Sequence, residues 1–512
     1  MLNNNNIKLF TITSHFLRRY SVFITVALQV VFLLIILTTR IRLIRSYTTN
    51  IHGVELNTIY GIQQILSGHH LYSDPEAFPF SIIQYTPIYY YICAFLASLI
   101  SVDHSDVHQL LVIGRIVNLL FNIGTSGLIF YILKKVLKLK WLWASSASIL
   151  VFALQFYWNY AVRPDSMFNF FGLLCFLFFI VSQNSKTSRA SQDYLIAACF
   201  LAVMSVFIKQ SGIQFSLIIL SYLLLSRQYK HFFIFLICLS AFSITSLFIS
   251  NLILGKFFFK NVILGVDNGI RLLWFYYWIL NTKYFYLLVL LLLFNASFFI
   301  QSLKDSNSNL NLLSYLSICT FAFALIIATK WGSTIHYFID FLCISIISIF
   351  YYISYALKLE NIPTLRNLKI WSLVGGSVLL FLLTIDYYYI YIKYRTSEAS
   401  YQLSYTIQQK IGSILKNELK PDEYILTDYA MVTGHFLINH YLFPQRDIVE
   451  CCSYKRNTYN YSRLYDIIKK GQIKFIITTS PDKPTRYLGA LLGTYKLYKQ
   501  IDNYSIYTLN RK

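Results

Sequence analysis

Residues 53–72 read GVELNTIYGIQQILSGHHLY, and the placement of this stretch decides how the rest of the chain is understood. Its apolar residues recur at near-helical spacing, it carries one carboxylate, Glu55, near its start, and it closes on a Gly-His-His-Leu-Tyr turn. It follows almost directly on SVFITVALQVVFLLIILTT (21–39), a run long enough to cross the ~30 Å hydrocarbon core of a bilayer. That run comes after a polar start and has no small-residue cleavage site, so it reads as a span and not as a signal peptide. An amphipathic helix with a lone acid, set down at the membrane surface after the first span, therefore needs a purpose.

Composition sets the class. Of 512 residues, 56% are hydrophobic and 13% are charged, with mean hydropathy +0.53, whereas a soluble domain carries about 25% charged residues. Apolar runs recur up to Ile392, and the fold class expected is a polytopic α-helical membrane protein of about 11 spans. They lie near 22–39, 113–133, 142–160, 166–183, 194–208, 212–226, 232–254, 284–300, 312–329, 335–357 and 370–392. The net charge of +22 comes without a basic arm or nucleic-acid motif, so anionic lipids and phosphate-bearing substrates are the expected partners, not nucleic acid. Six of the eight cysteines sit in apolar runs as small hydrophobes, and only Cys451 and Cys452 lie in a polar region. No zinc or disulfide spacing is present in the sequence.

The segment TPIYYYICAFLASLIS (86–101) is aromatic, proline-led and short for a span. Treating it as half-inserted puts KKVLKLK (134–140), Lys186 with Arg189, Arg227 with Lys230, and Lys358 with Arg366 and Lys369 on one side. By the positive-inside rule that side is the cytoplasm. The loop over 40–112 and the C-terminus then face outward, although Arg40, Arg42 and Arg45 after the first span pull the other way. The membrane part is expected over 1–392 and a small extracytoplasmic α/β domain over 393–512. In the latter, YQLSYTIQQKIGSILKNEL reads as a helix, EYILTD and KFIITTS as strands, RLYDIIKKG as a helix and YKLYKQIDNYSIYTL as a hairpin turning at Asp-Asn.

Ionisable residues at membrane depth are costly, which makes them the first functional candidates. On this topology they gather at the outer side. They are Glu55 and Asp74 in the first loop, Arg163 and Asp165 in AVRPDS, and Lys209 in FIKQSG. Lys256 and Lys260 follow in a long loop, and Lys330, His336, Tyr337 and Asp340 in KWGSTIHYFID. Cations mixed with carboxylates suit sugar transfer from a lipid-linked phosphate. The leaving phosphate departs as an anion, which cations stabilise, while one carboxylate suffices as base on the acceptor hydroxyl. A glycosidase would need two flanking carboxylates.

The same residues carry a resemblance. Glu55, the helix ending at Gly68, then Tyr72, Asp74 and QYTPIYYY resemble the first outer loop of the GT-C superfamily of polyprenyl-phosphate-sugar glycosyltransferases. The similarity is to the branch of the protein mannosyltransferases and aminoarabinose transferases. GRIVNLLFN, AVRPDSMFNFFGLL, FIKQSG and the HYFID stretch extend it over roughly residues 50–345. The family's acidic pair is here Val54-Glu55, so only its second member is present. The resemblance implies an inverting transferase with Glu55 as base, Asp74 in reserve, and Arg163, Asp165, Lys209, Lys256, Lys260, Lys330, His336, Tyr337 and Asp340 lining the substrate site. It implies a roof role for 53–72, an extracytoplasmic glycan, lipid or protein acceptor, and no cofactor.

The plainer alternatives are local. Arg163 could simply pair with Asp165, Lys209 could reach to the interface, and His336 and Asp340, four apart, could pair with each other. His69 and His70 are adjacent in a turn with no third ligand at a telling distance, so no metal site is expected. A flippase for lipid-linked oligosaccharide would share the cations, but repeated halves with broken helices are not evident in the sequence. An Ile/Lys/Asn/Tyr-rich composition fits a bacterial membrane and an undecaprenyl carrier.

Overall fold

The structure, a computed structural model, describes residues 4–49, 51, 55–155, 159–267, 269–359, 363–428, 431–444, 459–479 and 493–510; side chains of 4–22, 24, 283, 357–381 and 384 are not described. Cys451 and Cys452 lie outside the described residues, as does Val54.

Among the described residues fifteen α-helices precede the first strand: α1 (Asn4–Arg45), α2 (Glu55–Leu66), α3 (Ile88–Leu99), α4 (Val107–Tyr131), α5 (Trp141–Leu154), α6 (Asp165–Asn184), α7 (Ser188–Ile208), α8 (Ile213–Leu225), α9 (Tyr229–Leu254), α10 (Phe258–Val262), α11 (Leu272–Phe275), α12 (Lys283–Lys304), α13 (Ser308–Ala328), α14 (Ile339–Leu359) and α15 (Pro363–Lys416). There follow β1 (Tyr424–Thr427), α16 (Val432–Phe436), α17 (Ser462–Lys469), β2 (Ile473–Thr478), β3 (Tyr495–Ile501) and β4 (Tyr504–Leu509). Eight helices among the described residues are long and apolar enough to cross a membrane, and the chain is a multi-pass membrane protein. Of the eleven spans expected, these eight recur. The segments at 142–160 and 212–226 are instead the shorter helices Trp141–Leu154 and Gln210–Leu225, and 370–392 lies within α15. At 12 residues, α3 is only about 18 Å long, too short to cross. It ends beside Ser101, whose φ of 54° turns the chain into α4.

Neighbouring helices pack in sequence order, α6 on α7, α12 on α13 and α13 on α14, while α1 returns against the distant α15. At Gly172 of α6 a side chain would collide with Phe215 of α8, so glycine there is what lets the two helices close up. The outermost helix is α9, of which only 6% of the apolar window is buried, as befits a helix that faces lipid.

The chain beyond α15 forms a four-stranded sheet of order β1-β2-β4-β3, with β1 parallel to β2 and the other pairs antiparallel. Asp502, at φ 54°, makes the β3–β4 turn. Both sheet faces are covered, because strand residues alternate between two apolar layers. Ile425, Phe475 and Ile477 meet Ile411 and Leu415 of α15. Leu426 and Ile476 meet Leu464 of α17 together with Phe80 and Ile82 of the first loop. The first loop is thus held between the helices and the sheet, and α15 runs unbroken through the expected boundary at 392–393.

Candidate active site

The opening stretch becomes α2, stopped by Gly68 at φ 76°, where the Gly68 and His69 N–H groups bond back to the Ile65 and Gln64 carbonyls at 3.0 and 2.9 Å. The expectation of an amphipathic surface helix gives way here. Every residue from Glu55 to Gln63 is buried, because α3 and α4 pack on the helix and α16 closes over its Gln63 end. Gln63 donates to the His104 carbonyl at 2.7 Å and its carbonyl oxygen lies 2.7 Å from His435 Nδ1. Burial pushes the His435 imidazole down to about 3.

Glu55 begins this helix with no solvent exposure. Its Oε1 accepts from Arg115 Nε at 3.0 Å and from the Val162 N–H at 2.9 Å. Oε2 accepts from Arg115 Nη2 at 2.9 Å and the Ile51 N–H at 2.8 Å. Arg115, in α4, uses its other hydrogens on the carbonyls of Leu43, Ser46 and Thr48 at 3.1, 3.0 and 2.7 Å. Two buried charges with every donor and acceptor matched form a clasp across the end of α1, the start of α2, α4 and the loop before α6. No lone pair of Glu55 remains for a substrate proton, so the geometry does not fit the base role expected of it.

The loop that Glu55 grips through Val162 presents Arg163 and Asp165, and here the sequence candidates converge. Asp165 Oδ1 lies 2.6 Å from Lys209 Nζ and 3.4 Å from His336 Nε2, and Oδ2 lies 3.0 Å from Arg163 Nε. Arg163 Nη2 donates to the Tyr85 hydroxyl at 3.2 Å and lies 3.4 Å from His336 Nε2. The Lys209 ammonium sits 4.1 Å from the centre of the Tyr337 ring. His336 Nδ1 is 2.5 Å from the Thr334 hydroxyl. Arg163, Asp165, Lys209 and His336 are all buried. Arg163 does pair with Asp165, and Lys209, which could have reached for the interface, turns inward to the same carboxylate. Two permanent cations share one carboxylate. The Arg163 Nη1 hydrogens and two of the three Lys209 ammonium hydrogens carry no hydrogen bond among the described residues.

Asp340 stands apart from His336, against the pairing their spacing allowed. It accepts from Asn169 at 2.7 Å and from Gln214 at 2.8 Å, neutral amides that solvate a buried acid without neutralising it. Asp74 and Lys260 find each other at 3.2 Å, and Glu76 joins at 2.9 Å, all three part-exposed. The Asn460 N–H and the Lys260 ammonium hold the Glu76 carboxyl below its ordinary value. Asp74 is therefore a rim ion pair and not a free base. Lys256 is exposed and Lys330 half-buried, and neither has an ion pair among the described residues. His69 and His70 are exposed.

Three parts were missed in the sequence. Arg115 was visible as an arginine inside an apolar run, the signal that marks a functional or paired group at membrane depth. Tyr85 belonged to an aromatic cluster, 85–91, that could stack on a sugar or line a lipid groove, with nothing to mark Arg163 as its partner. The third is an apolar groove of about 440 Å³ between α3, α7 and α9, lined by Pro87, Tyr91, Phe95, Phe207 and Ile253 among others. Along the chain Pro87 lies two residues from Tyr85 and Phe207 two from Lys209, although no residue of the cation cluster lines the groove itself.

The fold, a helical bundle roofed by short helices and an α/β unit, is similar to that of ArnT. ArnT from Cupriavidus metallidurans bound to undecaprenyl phosphate superposes with TM-score 0.60 at 12% identity, covering 93% of this chain and 97% of that one. The apo state of the same protein gives 0.58 at 13% identity, with 93% and 97% covered. The likeness is one of fold. No protein-family model matches the chain, and no curated protein matches it in sequence.

Proposed function

We propose that this protein is an integral-membrane inverting glycosyltransferase that moves a sugar from a polyprenyl-phosphate carrier to an extracytoplasmic acceptor. The observation that carries this reading is the buried pair of cations, Arg163 and Lys209, that share one carboxylate and keep hydrogens uncommitted among the described residues. Those hydrogens suit a phosphate, and the apolar groove between α3, α7 and α9 suits a polyprenyl chain. The fold shared with ArnT, whose structure holds undecaprenyl phosphate, points the same way.

The chemistry follows from charge. The acceptor oxygen attacks the anomeric carbon as the carbon–oxygen bond to phosphate breaks. The electron pair leaves with the phosphate, and Arg163 and Lys209 hold the developing charge. Asp165 takes the acceptor proton. Both cations lie on Asp165; a phosphate competes for them and leaves the carboxylate freer to act as base. Glu55 fixes the loop that carries Arg163 and Asp165, and Asp74 with Lys260 fixes the rim. Helix direction supports the outward site. From α4 to α14 the basic loops at 134–140, 185–187 and 226–228 fall at the end of the bundle opposite Arg163 and Lys209.

Transfer from a radiolabelled panel of polyprenyl-phosphate sugars to an envelope extract tests this. Wild type should transfer from one donor, and Lys209→Met and Asp165→Asn should not. Lipid-linked oligosaccharide crossing proteoliposomes, with no transfer from any donor, would reject the reading in favour of a flippase.

A further inference from the structure

A second cavity lies away from the cation cluster, and its chemistry is different. It measures about 610 Å³ and opens between the loop before α4, the outer face of α15, and Phe436 of α16, within the usual ~300–1,000 Å³ of ligand sites. On α15 it is lined by Tyr405, Gln409, Gly412, Ser413 and Lys416, one helical face at four- and three-residue spacing. The next face over, Ile411 and Leu415, covers the sheet. Opposite stand Asp103, Asp106 and Gln109. Tyr47 and His108 stack in parallel at 3.9 Å at one end, and Tyr405 meets them edge-on.

The geometry points to a carbohydrate-binding cleft for a neutral or amino-sugar chain, which holds acceptor sugars beyond the one that reacts. This rests on the transferase reading above and adds the class of acceptor. A sugar presents hydroxyls that both donate and accept, and C–H faces that lie on rings. The cleft offers both kinds of partner. The Gln409 amide carries no hydrogen bond among the described residues, Asp106 uses only Oδ1, on the Gln109 N–H at 3.0 Å, and His108 Nδ1 is buried without a partner. Two carboxylates against one ammonium repel a phosphate or uronate and favour an amine. The donor phosphate and the acceptor chain are thereby sorted into separate sites of opposite charge balance. The cleft also abuts the clasp, because Tyr47 lies between Ser46 and Thr48, whose carbonyls receive Arg115. A chain seated there lies along the segment that positions the reaction centre.

The test is binding of the full-length protein in nanodiscs to an immobilised panel of neutral, amino and uronic-acid oligosaccharides, with transfer measured in parallel. Neutral or amino oligosaccharides should be captured and uronates not. The double variant Gln409→Ala/Ser413→Ala, on an exposed helical face, should weaken capture at least tenfold with an unchanged melting temperature. Lys209→Met should keep capture while losing transfer. Capture of no neutral or amino glycan, preference for uronates, or capture indifferent to the double variant would overturn the cleft. Transfer persisting in that event would leave the transferase reading intact, and capture without transfer would do the reverse.

Discussion

The Glu55–Arg115 clasp and the Arg163–Asp165–Lys209 cluster are built from the same materials and differ in balance. Both bury a carboxylate against guanidinium at one end of the bundle, one residue apart through Val162. In the clasp, four donors meet one carboxylate and three carbonyls take the remaining guanidinium hydrogens, so nothing is left over. In the cluster, two cations and an imidazole crowd one carboxylate, while hydrogens of Arg163 and Lys209 stay uncommitted among the described residues. A saturated pair resists change and fixes the backbone; an over-supplied one exchanges partners when an anion arrives. Burial by itself does not distinguish a reacting group from a structural one. The count of satisfied donors and acceptors does.

That contrast can be broken most forcefully at Arg115. Replacing it by Met leaves Glu55 buried and unpaired, and should cost about 3–5 kcal/mol of stability, read as a large fall in melting temperature or loss of folded protein. Adding Glu55→Gln should recover part of that loss, which a catalytic Glu55 would not require.

Lys209→Met should act in the opposite sense. Asp165 keeps Arg163, so the fold should hold within about 1–2 kcal/mol, while transfer falls by roughly 10²–10³. Equal losses of stability in the two variants would erase the distinction between clasp and cluster.

Acidification sharpens the comparison from the side of the sheet. His435 titrates near 6.5 when unfolded and near 3 when packed on Gln63. Between those values the unfolded chain binds the extra proton. Its contribution is therefore whole above pH 6.5 and falls by about 1.4 kcal/mol per unit on going lower. At pH 5 the loss reaches about 2 kcal/mol, and His435→Gln should flatten that slope in thermal unfolding. The smallest effect belongs to the rim: Lys260→Ala removes a part-exposed pair, worth under about 1 kcal/mol, and should leave transfer within a few-fold.

The sequence made the membrane class legible because apolar runs need only length and composition to be recognised. It also brought Arg163, Asp165, Lys209 and His336 to one end, since alternating spans place the ends of non-adjacent helices together. What it did not disclose were partners. Glu55 and Arg115 are 60 residues apart, and nothing local marks one as the complement of the other. Asp340 was matched to the nearest titratable neighbour, but its partners are the amides Asn169 and Gln214, which carry no charge for a pattern to catch. The buried α2 misled for a related reason. Its polar residues read as solvated, but Glu55 is met by Arg115 from α4 and Gln63 by His435 from beyond residue 400.

The most direct test is phosphate binding itself: titration of undecaprenyl phosphate into the protein in nanodiscs, for wild type, Lys209→Met and Lys260→Ala. Binding weakened at least tenfold by Lys209→Met and little changed by Lys260→Ala is the result this account predicts. Binding unchanged by Lys209→Met would place the phosphate elsewhere and contradict it.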